Sequence, residues 1–245
     1  MLNASAIRVF LIFIAIYPGG FVQAQPQNPV PVPRPKPGVE TSQTQQSLSA
    51  ANVVKKEGNA FKNCLALLKN RGVKVEIEQP VQLENGCHVA HPVKVFAVAA
   101  GNRSIRLPAH PVLNCGFALR FSSWLSDIAA PVVQSFSKSP LKSVATGPGY
   151  VCRTRNNKKG GKISEHGFGN AIDITGFRLA SGANIPISAL PDGPSQQVRM
   201  LSALRTSACG YFTTVLGPGA NAAHKSHFHF DYGKHGRTWN YRICE

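Results

Sequence analysis

Two short stretches of the chain hold residue types that can bind a metal and move a proton. SEHGFGNAIDITGF, residues 164–177, sets His166 and Asp173 seven positions apart with Gly167 and Gly169 between them. HKSHFHFDYG, residues 224–233, gathers His224, His227, His229 and Asp231. If residues 227–232 form a strand, alternation puts His227, His229 and Asp231 on one face and Phe228, Phe230 and Tyr232 on the other. The same period in AIDITGF turns Asp173 away from Ile172 and Ile174. The glycines permit a turn that folds His166 back towards Asp173, which a straight strand would not allow. Same-face residues on a strand lie about 7 Å apart, so two imidazoles of the second stretch can address one small site without both binding one ion.

An imidazole, a carboxylate and a second imidazole suit a catalytic zinc, because three protein ligands leave a position for water, whose pKa zinc lowers to about 7. Taken singly, a His-x-His or an isolated His and Asp is more often a surface or structural pair than a metal site. Together the two stretches hold four of the eight histidines in the chain, which favours a shared site. Non-haem iron also uses two histidines and a carboxylate, although its first histidine and carboxylate usually lie much closer in sequence. His88 and His91 in CHVAHP read as structural or surface residues.

The elements that must hold these residues can be read from periodicity. Residues 57–71 carry Phe61, Leu65 and Leu68 at helical spacing and stop at Gly72. VKVEIE from Val73 and VKVFAVAA from Val93 read as strands. Ser122 and Ser123 before WLSDIAAPVVQSF predict a capped helix, kinked or broken at Pro131. A further helix is expected over 195–209, stopped by Gly210, with short strands at 212–216, 227–232 and 237–244. Helices around antiparallel strands define an α+β fold.

The first two dozen residues read as a removable export signal. Arg8 precedes an apolar run over residues 9–17, and Val22-Gln23-Ala24 fits a small-x-small cleavage site. That run is shorter than the roughly 20 residues a spanning helix needs. Residues 25–50 begin QPQNPVPVPRPKPG and continue in Gln, Ser and Thr, the composition of a polyproline-like or disordered spacer. Residues 51–245 then suffice for one domain with a sizeable core. The formal charge is +16, and removing Arg8 leaves +15. A field of that sign favours anionic partners. No nucleic-acid reader motif is present, so anionic envelope polymers or acidic lipids fit an exported chain better. Arg155, Lys158, Lys159 and Lys162 form a basic loop just before His166, which reads as a solvated loop or as one that steers a substrate with free carboxylates.

Six cysteines with no C-x-x-C pair read as disulfides. Nearness along the chain suggests Cys64–Cys87, Cys115–Cys152 and Cys209–Cys244.

The pattern S-E-H-G-x-G-x-A-x-D-I-x-G-F, followed by H-x-x-H-x-H-x-D, resembles the bacterial extensin-like domain family. The motif of that family parallels the LAS metallopeptidases: D-Ala-D-Ala carboxypeptidases, murein endopeptidases and hedgehog-type domains. The resemblance to the extensin-like family extends over most of residues 60–245, including Tyr150-Val151-Cys152-Arg153 and the last cysteine. It implies a small antiparallel sheet flanked by helices, with one zinc per chain held by His166, Asp173 and His229. His227 would then serve as general base or transition-state stabiliser, His224 would line the same site, and Arg153 would meet the oxyanion. The catalytic glutamate of the carboxypeptidase branch is missing. That favours the murein endopeptidase branch, acting on peptidoglycan stem peptides in the periplasm of a Gram-negative bacterium, or else a wall-binding or envelope-scaffolding module that does not cleave. Glu165 and Asp231 would orient the ligand imidazoles from behind.

Overall fold

The computed structural model describes residues 58–190, 192–238 and 241–245. The expected export signal (1–24) and spacer (25–50) lie outside the described residues. The first helix, α1, covers residues 58–70 and closes at Gly72, as its apolar spacing predicts. It leads into β1 (Lys74–Ile77), a two-stranded ribbon of β2 (Val81–Gln82) and β3 (His88–Val89), and then β4 (Pro92–Ala100), β5 (Arg103–Arg106) and β6 (Val112–Asn114). The helical layer follows as α2 (Cys115–Trp124) and α3 (Ala130–Ser137), joined by a π-helical turn over Leu125–Ala129. The rest comprises β7 (Leu141–Thr146), β8 (Ala171–Leu179), β9 (Asn184–Pro186), α4 (Ser195–Ala208), β10 (Thr214–Leu216), β11 (Phe228–Asp231) and β12 (Ile243–Cys244).

Ten strands make one sheet with the order β1-β4-β5-β7-β8-β11-β10-β12, β6 and β9 being added beside β4 and β8. The α+β class holds, but the sheet is neither small nor purely antiparallel. β5 pairs parallel with β7, and β10 parallel with β12. The first parallel pair follows from topology: β6, α2 and α3 intervene between β5 and β7, and such a crossover returns the chain in its original direction. The strand expected over 237–244 is only Ile243–Cys244 among the described residues.

The helix expected to start at Ser122 starts earlier. Asn114 caps α2 by accepting from the Gly116 N–H at 3.1 Å, and Ser122 and Ser123 instead lie inside the helix, each donating to the Leu119 carbonyl. Pro131 has no N–H to give. The preceding π turn, in which the Ala130 N–H reaches back five residues to the Leu125 carbonyl, widens the coil ahead of it, and Pro131 sits in the first turn of α3.

One face of the sheet packs on the helices. Trp124 from α2 stands edge-on to Phe230 of β11 at 5.1 Å between centroids, and Phe212 stacks on Phe230 at 4.9 Å. Phe228, Phe230, Ile172 and Ile174 are fully buried there. Emptying such an aromatic position typically costs about 3–5 kcal/mol, so β8 and β11 are anchored firmly from behind.

Three disulfides staple the domain: Cys64–Cys115, Cys87–Cys152 and Cys209–Cys244. The third is the expected pair. The other two correct the expected Cys64–Cys87 and Cys115–Cys152, because the sheet folds the start of α2 back onto α1, 51 residues away, and brings the loop at Cys87 to Cys152 across 65 residues. Bonds of this kind persist in oxidising compartments. Among the described residues no helix is long and apolar enough to cross a membrane.

Candidate metal centre

β8 and β11 run antiparallel with Asp173 directly opposite His229. Their apolar neighbours point into the core, so the carboxylate and the imidazole share the opposite face, as alternation requires. His166 arrives from a short 3-10 turn, Glu165–Phe168, that ends on Gly169 in the left-handed region (φ +62°). A Cβ on Gly169 would lie 2.7 Å from the Asn114 nitrogen, so only glycine makes this turn without displacing α2's cap. The turn swings the imidazole back to the carboxylate.

The three side chains converge. Asp173 Oδ1 lies 2.8 Å from His229 Nδ1, Asp173 Oδ2 lies 3.3 Å from His166 Nε2, and the two ring nitrogens are 3.3 Å apart. One ligand atom from each residue falls within 4.8 Å of the other two, a spacing able to hold a metal ion. His166 is 2 % exposed and His229 8 %, so the donors are withdrawn from water.

The outward nitrogens decide which lone pairs face the centre. His166 Nδ1 sits 2.6 Å from the Gly149 carbonyl, which can only accept, so this nitrogen carries the proton and Nε2 presents its lone pair. His229 Nε2 lies 3.1 Å from Asp231 Oδ2, which leaves Nδ1 for the centre. A metal-binding histidine needs such a partner behind it, and both have one. The donor set of two nitrogens and one carboxylate oxygen can therefore hold a transition-metal ion, zinc among those it suits.

Asp231 is itself held by the Gly233 N–H, which donates to Oδ1 at 3.0 Å, and lies 3.9 Å from His235. His235 in turn meets the Thr214 hydroxyl at 2.7 Å. Of the two carboxylates expected behind the ligands, Asp231 takes that place and Glu165 does not. Glu165 pairs with Arg155 at 3.6 Å and with Asn170. Burial and the nearby Asp231 charge raise its pKa.

The centre opens into a cavity of about 190 Å³ lined by Arg153, Glu165, His224, His227, His229 and Asp231, among others. His227 Nε2 lies 3.7 Å from Asp173 Oδ1. His224 Nδ1 donates to Asn221 Oδ1 at 2.7 Å, and its ring stands 5.2 Å from that of His227. Burial, reinforced by the charges of His229 and His227, lowers His224 to about 4. Burial also lowers His227, against the opposing pull of Asp173. Both rings are therefore neutral near pH 7. Burial opposes charge on His229 as well, but its hydrogen bonds to Asp173 and Asp231 prevail and raise it to about 9 in the metal-free protein. Burial likewise works against charge on Asp173, and the two histidines outweigh it, holding the carboxyl far below the usual range.

Arg155 joins Arg153 at the cavity, while Lys158, Lys159 and Lys162 of the same basic loop are exposed. His91 stacks on Phe61 at 4.6 Å, and His88, exposed, meets Phe168 edge-on, so neither joins the cluster. Gly149, Asn221, Thr214 and His235 were not singled out by sequence. Gly149 acts through its backbone carbonyl, which no residue type announces.

Fold and site together define a disulfide-stapled α+β domain with a buried His–Asp–His cluster able to hold a metal. Residues 62–245 match the family described as Extensin-like protein C-terminus, and the chain belongs to it. No curated protein and no solved structure matches the chain.

Proposed function

We infer that the domain is a zinc-dependent hydrolase that cleaves peptide bonds in peptidoglycan stem peptides or cross-links, acting in the periplasm. The observation that carries this reading is the convergence of His166 Nε2, Asp173 and His229 Nδ1, with each outer ring nitrogen tied to an acceptor. The likeness of both motifs to LAS metallopeptidases supports it further. Zinc, when held there, would polarise the scissile carbonyl and activate water for attack.

The chain's own residues supply the rest. Neutral His227, 3.7 Å from Asp173, can accept a proton beside the cluster and return it to the leaving amine. His224, fixed by Asn221, walls the cavity beside the ring of His227. Arg153 stabilises negative charge on the substrate oxygen through its guanidinium N–H groups. Arg153 and Arg155 also attract substrates with free carboxylates, as stem peptides carry.

A second reading, a wall-binding module whose metal is structural, draws on one observation. Both other carboxylates of the cavity are engaged, Asp231 by His229 and Glu165 by Arg155, so neither is free as a general base. Zinc quantification together with mass spectrometry of muropeptides separates the two. The hydrolase reading expects one zinc per chain and cleavage that stops with a chelator or with His229→Ala. A zinc-loaded protein that leaves murein and cross-linked muropeptides intact would refute it.

A further inference from the structure

Away from the metal centre, one row of residues crosses five strands of the sheet. Lys74 of β1 opposes Ala97 of β4, Ala97 opposes Arg106 of β5, Arg106 opposes Ser143 of β7, and Ser143 opposes Arg178 of β8. Partners on adjacent strands share a face, and the core residues Val98, Ile105, Val144 and Phe177 next to them point the other way. The row therefore lies on the side of the sheet without helices. Its three cations are exposed and its two small residues are nearly covered, Ala97 at 5 % and Ser143 at 7 %. Charge recurs on alternate strands, about 10 Å apart, with a low floor between.

Two register shifts add to the row. One falls between Lys74 and Val75, where their partners jump from Ala97 to Val95, and it gives β4 an extra outward residue, Phe96. The other falls between Leu141 and Ser143 and turns Lys142 to the same side. Phe96 meets His110 at 4.5 Å, and His110 is held at φ +46° to do so, a conformation few side chains adopt. All these residues line one hollow of about 760 Å³. Among the described residues, Lys74, Arg106, Lys142 and Arg178 have no carboxylate partner, and no acidic side chain lines the hollow.

We propose that this trough binds a carboxylate-bearing polysaccharide, with acid groups seated between Arg106 and Arg178 over Ser143 and a sugar ring packed on Phe96 and His110. Guanidinium pairs bind carboxylates through paired N–H groups, which lysine-only surfaces cannot do. The regular interval of charge suits an extended polymer with a repeating acid, and the ring pair supplies the apolar surface a pyranose face needs. A membrane fits less well. The exposed large apolar residues Leu67, Ile77, Leu83, Tyr232 and Tyr241 all lie outside the trough. The site is separate from the metal cluster: Asp173 and Arg178 are five residues apart on β8, about 17 Å along the strand.

The test is titration of the full chain with polygalacturonate, with neutral dextran, polyphosphate and phosphatidylglycerol vesicles as comparison ligands. Polygalacturonate should bind and dextran should not. Arg106→Gln with Arg178→Gln should weaken binding roughly tenfold or more, the loss expected for removing a charge-assisted hydrogen bond. The charge-matched pair Lys62→Gln with Arg199→Gln, exposed elsewhere, should leave it unchanged. Ser143→Glu, which puts a carboxylate between the arginines, should weaken binding while leaving their positions intact. His166→Ala should bind normally, so failure of the hydrolase reading would not be mistaken for failure of this one. Equal weakening by both double variants, absence of polygalacturonate binding, or arginine-dependent binding confined to polyphosphate or vesicles would overturn the proposal.

Discussion

Asp231→Asn tests whether the residue behind His229 sets metal affinity. The carboxylate oxygens of Asp231 take His229 Nε2 at 3.1 Å and the Gly233 N–H at 3.0 Å, with the Thr214 hydroxyl beside them. Asparagine keeps the shape but has one oxygen, so its amide nitrogen must face one of these donors. Replacing a charge-assisted hydrogen bond behind a ligand histidine should lower zinc affinity about 10- to 100-fold. Protons compete for the same ring nitrogen, however. Asp231 helps raise His229 to about 9, so native protein must expel a proton to bind zinc at any lower pH. The variant, with a less basic imidazole, expels it more easily. The native advantage should therefore be greatest near pH 9 and narrow as pH falls. Competition between the protein and a chromogenic chelator, repeated across that range, measures both effects. Equal affinities near pH 9, or a gap that does not change with pH, would refute the assignment of Asp231.

Two further outcomes follow from the same geometry. In the metal-free protein His229 is raised from 6.5 to about 9, so its stabilisation is fully present below 6.5 and is lost as pH rises through 9. That shift corresponds to about 3 kcal/mol, and melting temperatures recorded from pH 6 to 10 should fall accordingly. Gly149→Ala should destabilise by about 2 kcal/mol or more, since φ is +81° and the new Cβ would lie 2.4 Å from the Val112 carbonyl. Because that glycine's carbonyl orients His166, zinc affinity should drop as well, which thermal melts with and without zinc would show.

The centre was legible in the sequence because it combines two local rules. Alternation put His229 and Asp173 on polar faces, and glycine at position 169 signalled the turn that returns His166. Pairing β8 with β11 is a tertiary fact, yet the two apolar faces had to meet one core, and this left little freedom for the polar ones. Where a feature depended on longer paths, the sequence was less informative. Disulfide partners followed the sheet rather than chain distance for Cys64 and Cys87, and only the Cys209–Cys244 pair was both near and correct. Ser122 and Ser123 resembled a cap, but the cap is Asn114, eight residues earlier, where the chain leaves β6. Glu165 adjoins a ligand in sequence and faces Arg155 in space, because the 3-10 turn sends consecutive side chains in different directions.

The opposition of Asp173 and His229 makes the candidate metal centre a check on strand alignment. Slipping β8 by one residue against β11 would turn Asp173 towards the helices and bring Ile172 or Ile174 to the polar side. A misaligned sheet would thus lose its candidate ion-binding cluster along with its core. An ion that binds only the correct alignment would act as a thermodynamic latch on the fold, favouring chains that have paired these strands correctly over those that have not.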